Sequence, residues 1–197
     1  MILQELTRLY DRLEADPDRS SDLPPFGFTE AKISFCIELS AAGELLGIRD
    51  VRDHSGKKPR AVLMTLPDCG GRTSGVKAFF LCDKSDYVFG FSPGGKPDRL
   101  REMFEAFRDL HLTHEAEIND PAYSALCMFL RAWDPATAEQ HPELRGRWEE
   151  FGTGANFIFQ FESDIDKYLH QKPAIKAAWQ SIKATHASKK FGRCLVT

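Results

Sequence analysis

Two stretches of alternating apolar residues, 32–40 (KISFCIELS) and 45–52 (LLGIRDVR), are separated only by Ala41-Ala42-Gly43-Glu44. Strands joined by so short a turn must lie antiparallel, since a parallel neighbour needs a crossover of a dozen or more residues. Further strand candidates at 60–66, 76–82 and 87–91 again follow short connections. The first half of the chain therefore predicts a mainly antiparallel sheet. Ahead of it, Ile2, Leu3, Leu6, Leu9, Tyr10 and Leu13 recur at helical spacing over 2–15, an apolar stripe that must cover something.

After a break at Ser92-Pro93-Gly94-Gly95-Lys96-Pro97 the period changes. Pro97 and Asp98 mark a helix start before Leu100, Met103, Phe104, Phe107 and Leu110. A second helix is expected over 121–133, a polar helical stretch over 135–151, and helices over 164–170 and 173–187. Between them 155–162 (ANFIFQFE) alternates as a strand that returns to the sheet. The class is α+β, with residues 1–197 as one domain: a helix and most strands in 1–96, and mainly helices with one returning strand in 97–197. Residues 191–197 (FGRCLVT) begin an apolar strand and stop, so the chain reads as the N-terminal part of a longer protein.

The net charge of −3 conceals segregation. Residues 1–51 carry 10 acidic and 5 basic groups, residues 52–101 carry 5 and 10, residues 102–166 carry 14 and 4, and residues 167–197 carry 7 bases and no acid. Two basic blocks around an acidic one suit a polyanion on one side and a protein neighbour on the other. The charged N-terminus has no apolar core of a secretory signal, and no run approaches the ~20 apolar residues that cross a bilayer. Cys36, Cys69, Cys82, Cys127 and Cys194 form an odd set with no Cys-x-x-Cys pair, the pattern of reduced, mostly buried thiols in a cytoplasmic protein.

Chemical motifs are sparse. Gly70 and Gly75 have the spacing of a phosphate-cradling loop, but Val76 stands at its lysine position and Ala78 follows Lys77. Gly152-Thr153-Gly154 lacks the third glycine of a dinucleotide fingerprint, Phe157 standing in its place. His111 and His114 form either an incomplete metal pair or cations near a helix C-terminus. No cysteine has a recognisable nucleophile context, so no catalytic residue, metal or cofactor is assigned. The functional material is basic and polar: Lys57, Lys58 and Arg60 in one loop, and Gly71, Arg72, Thr73, Ser74, Gly75 and Lys77 in another. Glycines on both sides of Arg72-Thr73-Ser74 let a slim tip approach a groove or phosphate closely, although an ordinary hairpin tip has the same composition.

Several separated segments carry a resemblance. Met1-Ile2-Leu3-Gln4, Pro24-Pro25-Phe26-Gly27, Lys32-Ile33-Ser34-Phe35, Arg72-Thr73-Ser74-Gly75, Phe80-Leu81-Cys82-Asp83, Tyr87-Val88-Phe89-Gly90 and the terminal Phe191-Gly192-Arg193-Cys194-Leu195-Val196-Thr197 resemble, in order, the large-subunit family of type I-C CRISPR interference (Cascade) complexes. The resemblance implies a non-catalytic subunit of an RNA-guided surveillance complex. Such a subunit docks at the guide RNA's 5′ handle beside backbone subunits, recognises the protospacer-adjacent motif (PAM) in double-stranded target DNA, helps open it, and leads to recruitment of a helicase-nuclease. Carried over by position, Gly71, Arg72, Thr73, Ser74 and Gly75 are the motif readers, Lys77 is a phosphate contact, and Lys57, Lys58 and Arg60 guide the duplex. The alternative is an assembly module that contacts the handle and neighbouring subunits without reading DNA.

Overall fold

The alternating stretch at 32–40 divides at Ser34 into strands of two different sheets. In the computed structural model, which describes residues 2–16, 24–152 and 154–188, β1 (Phe28–Ile33) precedes Ser34 and β2 (Phe35–Leu39) follows it. β3 (Leu45–Asp50), β4 (Val62–Pro67), β5 (Asp83–Lys84) and β6 (Asn156–Phe161) complete the strands. β1 and β4 form an antiparallel pair, and the other four lie in the order β3-β2-β6-β5. β6 runs antiparallel to β5 but parallel to β2, with Phe35 opposite Phe157 and Leu39 opposite Phe161. Ser34 joins the sheets: its amide donates to the Asn156 carbonyl at 3.1 Å, and its carbonyl accepts from the Val51 amide at 3.0 Å.

The helices are α1 (Ile2–Ala15), α2 (Ser85–Val88), α3 (Pro97–Thr113), α4 (Pro121–Ala132), α5 (Trp148–Phe151) and α6 (Pro173–Ser188). Proline opens α3 and α4 where no amide partner is needed, and the Asp120 carboxylate caps α4 by accepting from the Ala122 amide at 2.9 Å. Phe35, Ile37, Leu39, Phe157 and Phe159 face the main core with Phe104 and Phe107 of α3 and Leu126 and Leu130 of α4. On the opposite face Cys36 and Ile158 pack against Ile33, Leu66 and Cys82. The central sheet is thus covered by helices on one side and by the β1–β4 ribbon on the other. That is the expected α+β class, with one parallel pairing inside a mainly antiparallel sheet.

Several local expectations are corrected. Residues 76–82 form no strand, and 87–91 holds the end of α2 and a turn; their apolar side chains are buried at Phe80, Leu81, Cys82, Tyr87, Val88 and Phe89 and half-buried at Val76, Ala78, Phe79 and Phe91, without strand pairing. Residues 164–170 are turns running into a 3-10 turn at Leu169–Gln171, and 135–151 gives only the 3-10 turn Pro135–Gln140 and the one-turn α5. The stripe on α1 does not bury: Ile2, Leu6, Leu9 and Tyr10 are exposed. The terminal strand expected at 191–197 lies outside the described residues.

The short turn that fixed the first strand pair depends on one residue. Gly43 has φ of +78°, and a Cβ there would stand 2.6 Å from the Phe129 amide nitrogen and 2.8 Å from the Ala125 carbonyl oxygen on α4. Gly43→Ala therefore combines left-handed strain with a clash against rigid helix backbone, and is expected to cost about 2–4 kcal/mol. A urea titration in which its midpoint matched wild type would refute this.

A candidate nucleic-acid interface at the glycine loop

Residues 68–82 form a loop between β4 and β5, and side chains hold both of its arms. At the base the Asp68 amide donates to the Gly27 carbonyl at 2.8 Å, the Asp68 carboxylate accepts from the Gly70 amide at 2.7 Å, and Lys183 of α6 lies 3.6 Å from that carboxylate. Cys69 Sγ accepts from the Phe80 amide at 3.1 Å, and the Phe80 ring stacks on Trp179 at 4.7 Å. These contacts replace the strand ladder that the apolar run at 76–82 lacks.

Leu81 is the one non-glycine residue with positive φ among the described residues, at 60°. Its amide donates to His111 Nε2 at 3.0 Å, and His111 Nδ1 donates to the Phe107 carbonyl at 2.7 Å. His111 is fully buried, and desolvation pulls it down to about 4. It is a neutral core residue, neither the helix-end cation nor the metal ligand considered from sequence. Among the described residues no three His, Cys, Asp or Glu side chains are arranged to hold a metal.

Nearer the tip, Arg72 turns inward. Its Nε donates to the Lys77 carbonyl at 2.6 Å, its Nη2 pairs with Asp83, and its guanidinium lies 3.9 Å from the ring centroids of both Phe79 and Tyr87. The Asp83 side chain is wholly buried, whereas that of Arg72 is 22% exposed. Burial pushes the Asp83 carboxyl up, opposed by Arg72 and by the Phe79 and Lys84 amides that donate to it. Lys77 Nζ donates back to the Gly71 carbonyl at 3.2 Å, so Arg72 and Lys77 staple the neck reciprocally. Beyond it Thr73, Ser74 and Gly75 are exposed, and a Cβ at Gly71 or Gly75 would meet nothing within 4 Å.

The second basic cluster sits elsewhere. Lys57, Lys58 and Arg60 are exposed on a loop whose ends meet as backbone partners, the Asp53 amide donating to the Arg60 carbonyl at 2.8 Å and the Arg60 amide to the Asp53 carbonyl at 2.9 Å. This loop enters β4 and the glycine loop leaves it, so the clusters lie at opposite ends of a six-residue strand, roughly 17 Å long at ordinary strand rise. Sequence reasoning proposed both clusters but missed Asp83, the buried partner that decides where Arg72 points. Nothing in Cys82-Asp83-Lys84 marks the aspartate as interior.

Other sites offer less. Cys36 and Cys127 are pushed up to about 12 and Cys69 to about 11 by burial, which disfavours the thiolate of each at neutral pH. A groove of about 850 Å³ beside the 90–95 turn is lined by Arg101, Arg108 and Arg131 but also by Glu105, Asp134 and Glu139, a balance that favours no polyanion. No helix among the described residues is long and apolar enough to cross a membrane.

No curated protein matches the chain. The family model described as CRISPR-associated protein (Cas_Csd1) matches residues 6–197, nearly the whole sequence, including the stapled loop and both basic clusters. The chain therefore belongs to that family, the large subunits of CRISPR Cascade complexes.

Proposed function

We propose that this chain is a non-catalytic, nucleic-acid-binding part of a type I-C surveillance complex, and that it recognises the protospacer-adjacent motif in duplex target DNA. The observation that carries this reading is the stapled neck, which projects Thr73, Ser74 and Gly75 as a narrow, exposed tip carrying two small hydroxyl side chains. A minor groove is only about 6 Å wide, and a slim tip of small polar groups and bare backbone can approach its floor closely. Lys57, Lys58 and Arg60, one strand length away, meet phosphates about five base pairs along the same duplex, at ~3.4 Å per pair. Base pairing to the guide RNA then reads the remaining sequence, and a helicase-nuclease recruited afterwards does the cutting.

The test is binding of the assembled complex to duplexes that differ only in the flanking motif. Thr73→Ala with Ser74→Ala is expected to erase about tenfold or more of the discrimination. Lys57→Ala with Lys58→Ala is expected to weaken binding to every duplex alike and to lower the salt slope by about two. Full discrimination in the Thr73/Ser74 double variant would sink the reading.

The exposed Ile2, Leu6 and Leu9 on α1 favour a second role in assembly beside the guide-RNA handle and backbone subunits. Deleting residues 2–15 separates the two: loss of assembly marks scaffolding, and loss of motif discrimination in an intact complex marks reading.

A further inference from the structure

We infer that Arg72 is a positioning latch for the loop tip and not itself a contact to DNA. The inference rests on the reading of the loop as a groove reader and assigns its parts.

Arg72 is the residue that composition alone would select as the reader, because a guanidinium is the commonest side chain on phosphates and base edges. Its surroundings oppose that role. The fork is spent on Asp83 and on the Lys77 carbonyl, and the cationic face is taken up by Phe79 and Tyr87. Swinging Arg72 outward would strand a carboxylate with no solvent exposure, and leaving one half of a buried pair alone costs more than one exposed phosphate contact returns.

The inward arrangement does define the tip. Arg72 binds the arm that leaves the tip at Lys77, Lys77 binds the arm that enters it at Gly71, and the Tyr87 hydroxyl accepts from the Lys77 amide at 3.3 Å. Asp83 also accepts from the Phe79 amide at 2.8 Å, so one buried carboxylate fixes Arg72 and the departing arm together. Behind them the left-handed Leu81 is pinned to His111 of α3. A continuous chain of contacts thus runs from the core to Thr73 and Ser74, and it removes the ordering cost of the tip before any ligand arrives.

The decisive variant is Asp83→Asn in the assembled complex, because the two roles predict opposite signs. Asparagine keeps an acceptor for the Phe79 amide but releases the Arg72 charge. A latch then loosens, motif-bearing duplex binds about tenfold more weakly, and amide exchange at Lys77 and Phe79 speeds up. A reader freed from its partner would bind more tightly, which would overturn the proposal. Arg72→Gln adds an independent readout: a latch leaves the dependence of log K on log salt unchanged, whereas a phosphate contact lowers its slope by about one. Phe79→Leu removes one ring from a half-exposed position and keeps the test available if Asp83→Asn fails to fold; a several-fold loss at unchanged salt slope is expected, and full affinity would count against the latch. Inert Thr73→Ala and Ser74→Ala would instead defeat DNA reading itself, so the two failures remain distinct.

Discussion

Acidification from pH 6.5 to 4 is expected to remove about 5 kcal/mol of stability through two buried imidazoles, roughly 2–3 from each. His111 and His170 are both pulled from 6.5 to about 4 by desolvation, with Lys176 adding to the effect at His170. The folded state holds each ring neutral while the unfolded chain takes up a proton near pH 6.5. The stability is therefore complete above 6.5 and is lost as pH falls towards 4. Between pH 6.5 and 5, above the range of most carboxylates, each histidine contributes a slope approaching 1.4 kcal/mol per pH unit. The two are separable because His111 has partners at both ring nitrogens, whereas among the described residues neither ring nitrogen of His170 has one. His170→Phe preserves a flat ring against Tyr168, now stacked at 5.6 Å, and deletes both orphaned nitrogens. It should raise stability at pH 7 and halve the acid slope in urea melts. An unchanged slope would show that His170 is not a source of the acid sensitivity.

Phe157→Ala is expected to cost about 3–5 kcal/mol, the range for deleting a fully buried aromatic side chain. Phe157 lies on β6 opposite both Phe35 of β2 and Asp83 of β5. Its ring stands 5.4 Å from Phe35, 5.4 Å from Phe89 and 5.2 Å from Phe151, so truncation leaves a cavity between strands and helices that neither layer can fill alone. The urea midpoint should fall without a change in denaturant slope. A loss below about 1 kcal/mol would mean that the neighbouring rings collapse into the space.

How far the sequence revealed this molecule depended on whether local pattern or distant partners set the conformation. α3 and α4 were legible because proline at the start and apolar residues at helical spacing act within one element. β6 was legible as a strand, but its parallel register with β2 was not, since the two are more than a hundred residues apart. The runs at 76–82 and 87–91 misled because apolar character marks packing without fixing a period: Phe80–Cys82 and Tyr87–Phe89 are buried, and Val76, Ala78, Phe79 and Phe91 are half-buried, in loop and turn rather than in strand. Tyr87, Val88 and Phe89 are all buried, and Leu81 takes a left-handed turn that only its bond to His111 explains. In the candidate site the glycines and basic residues stood out by composition. The division of labour among them did not, because it depends on Asp83, eleven residues beyond Arg72 and inside the core.

The parallel pairing of β2 with β6 also sets a timetable for biosynthesis. Phe35 and Ile37 leave the ribosome early, but the strand that covers one edge of theirs ends at Phe161. At ~5–20 residues per second the unpaired edge of β2 waits about 6–25 s for its neighbour. Contacts so distant along the chain make folding slow, and in that interval the nascent β2–β3 hairpin is the segment most exposed to aggregation and to chaperone capture.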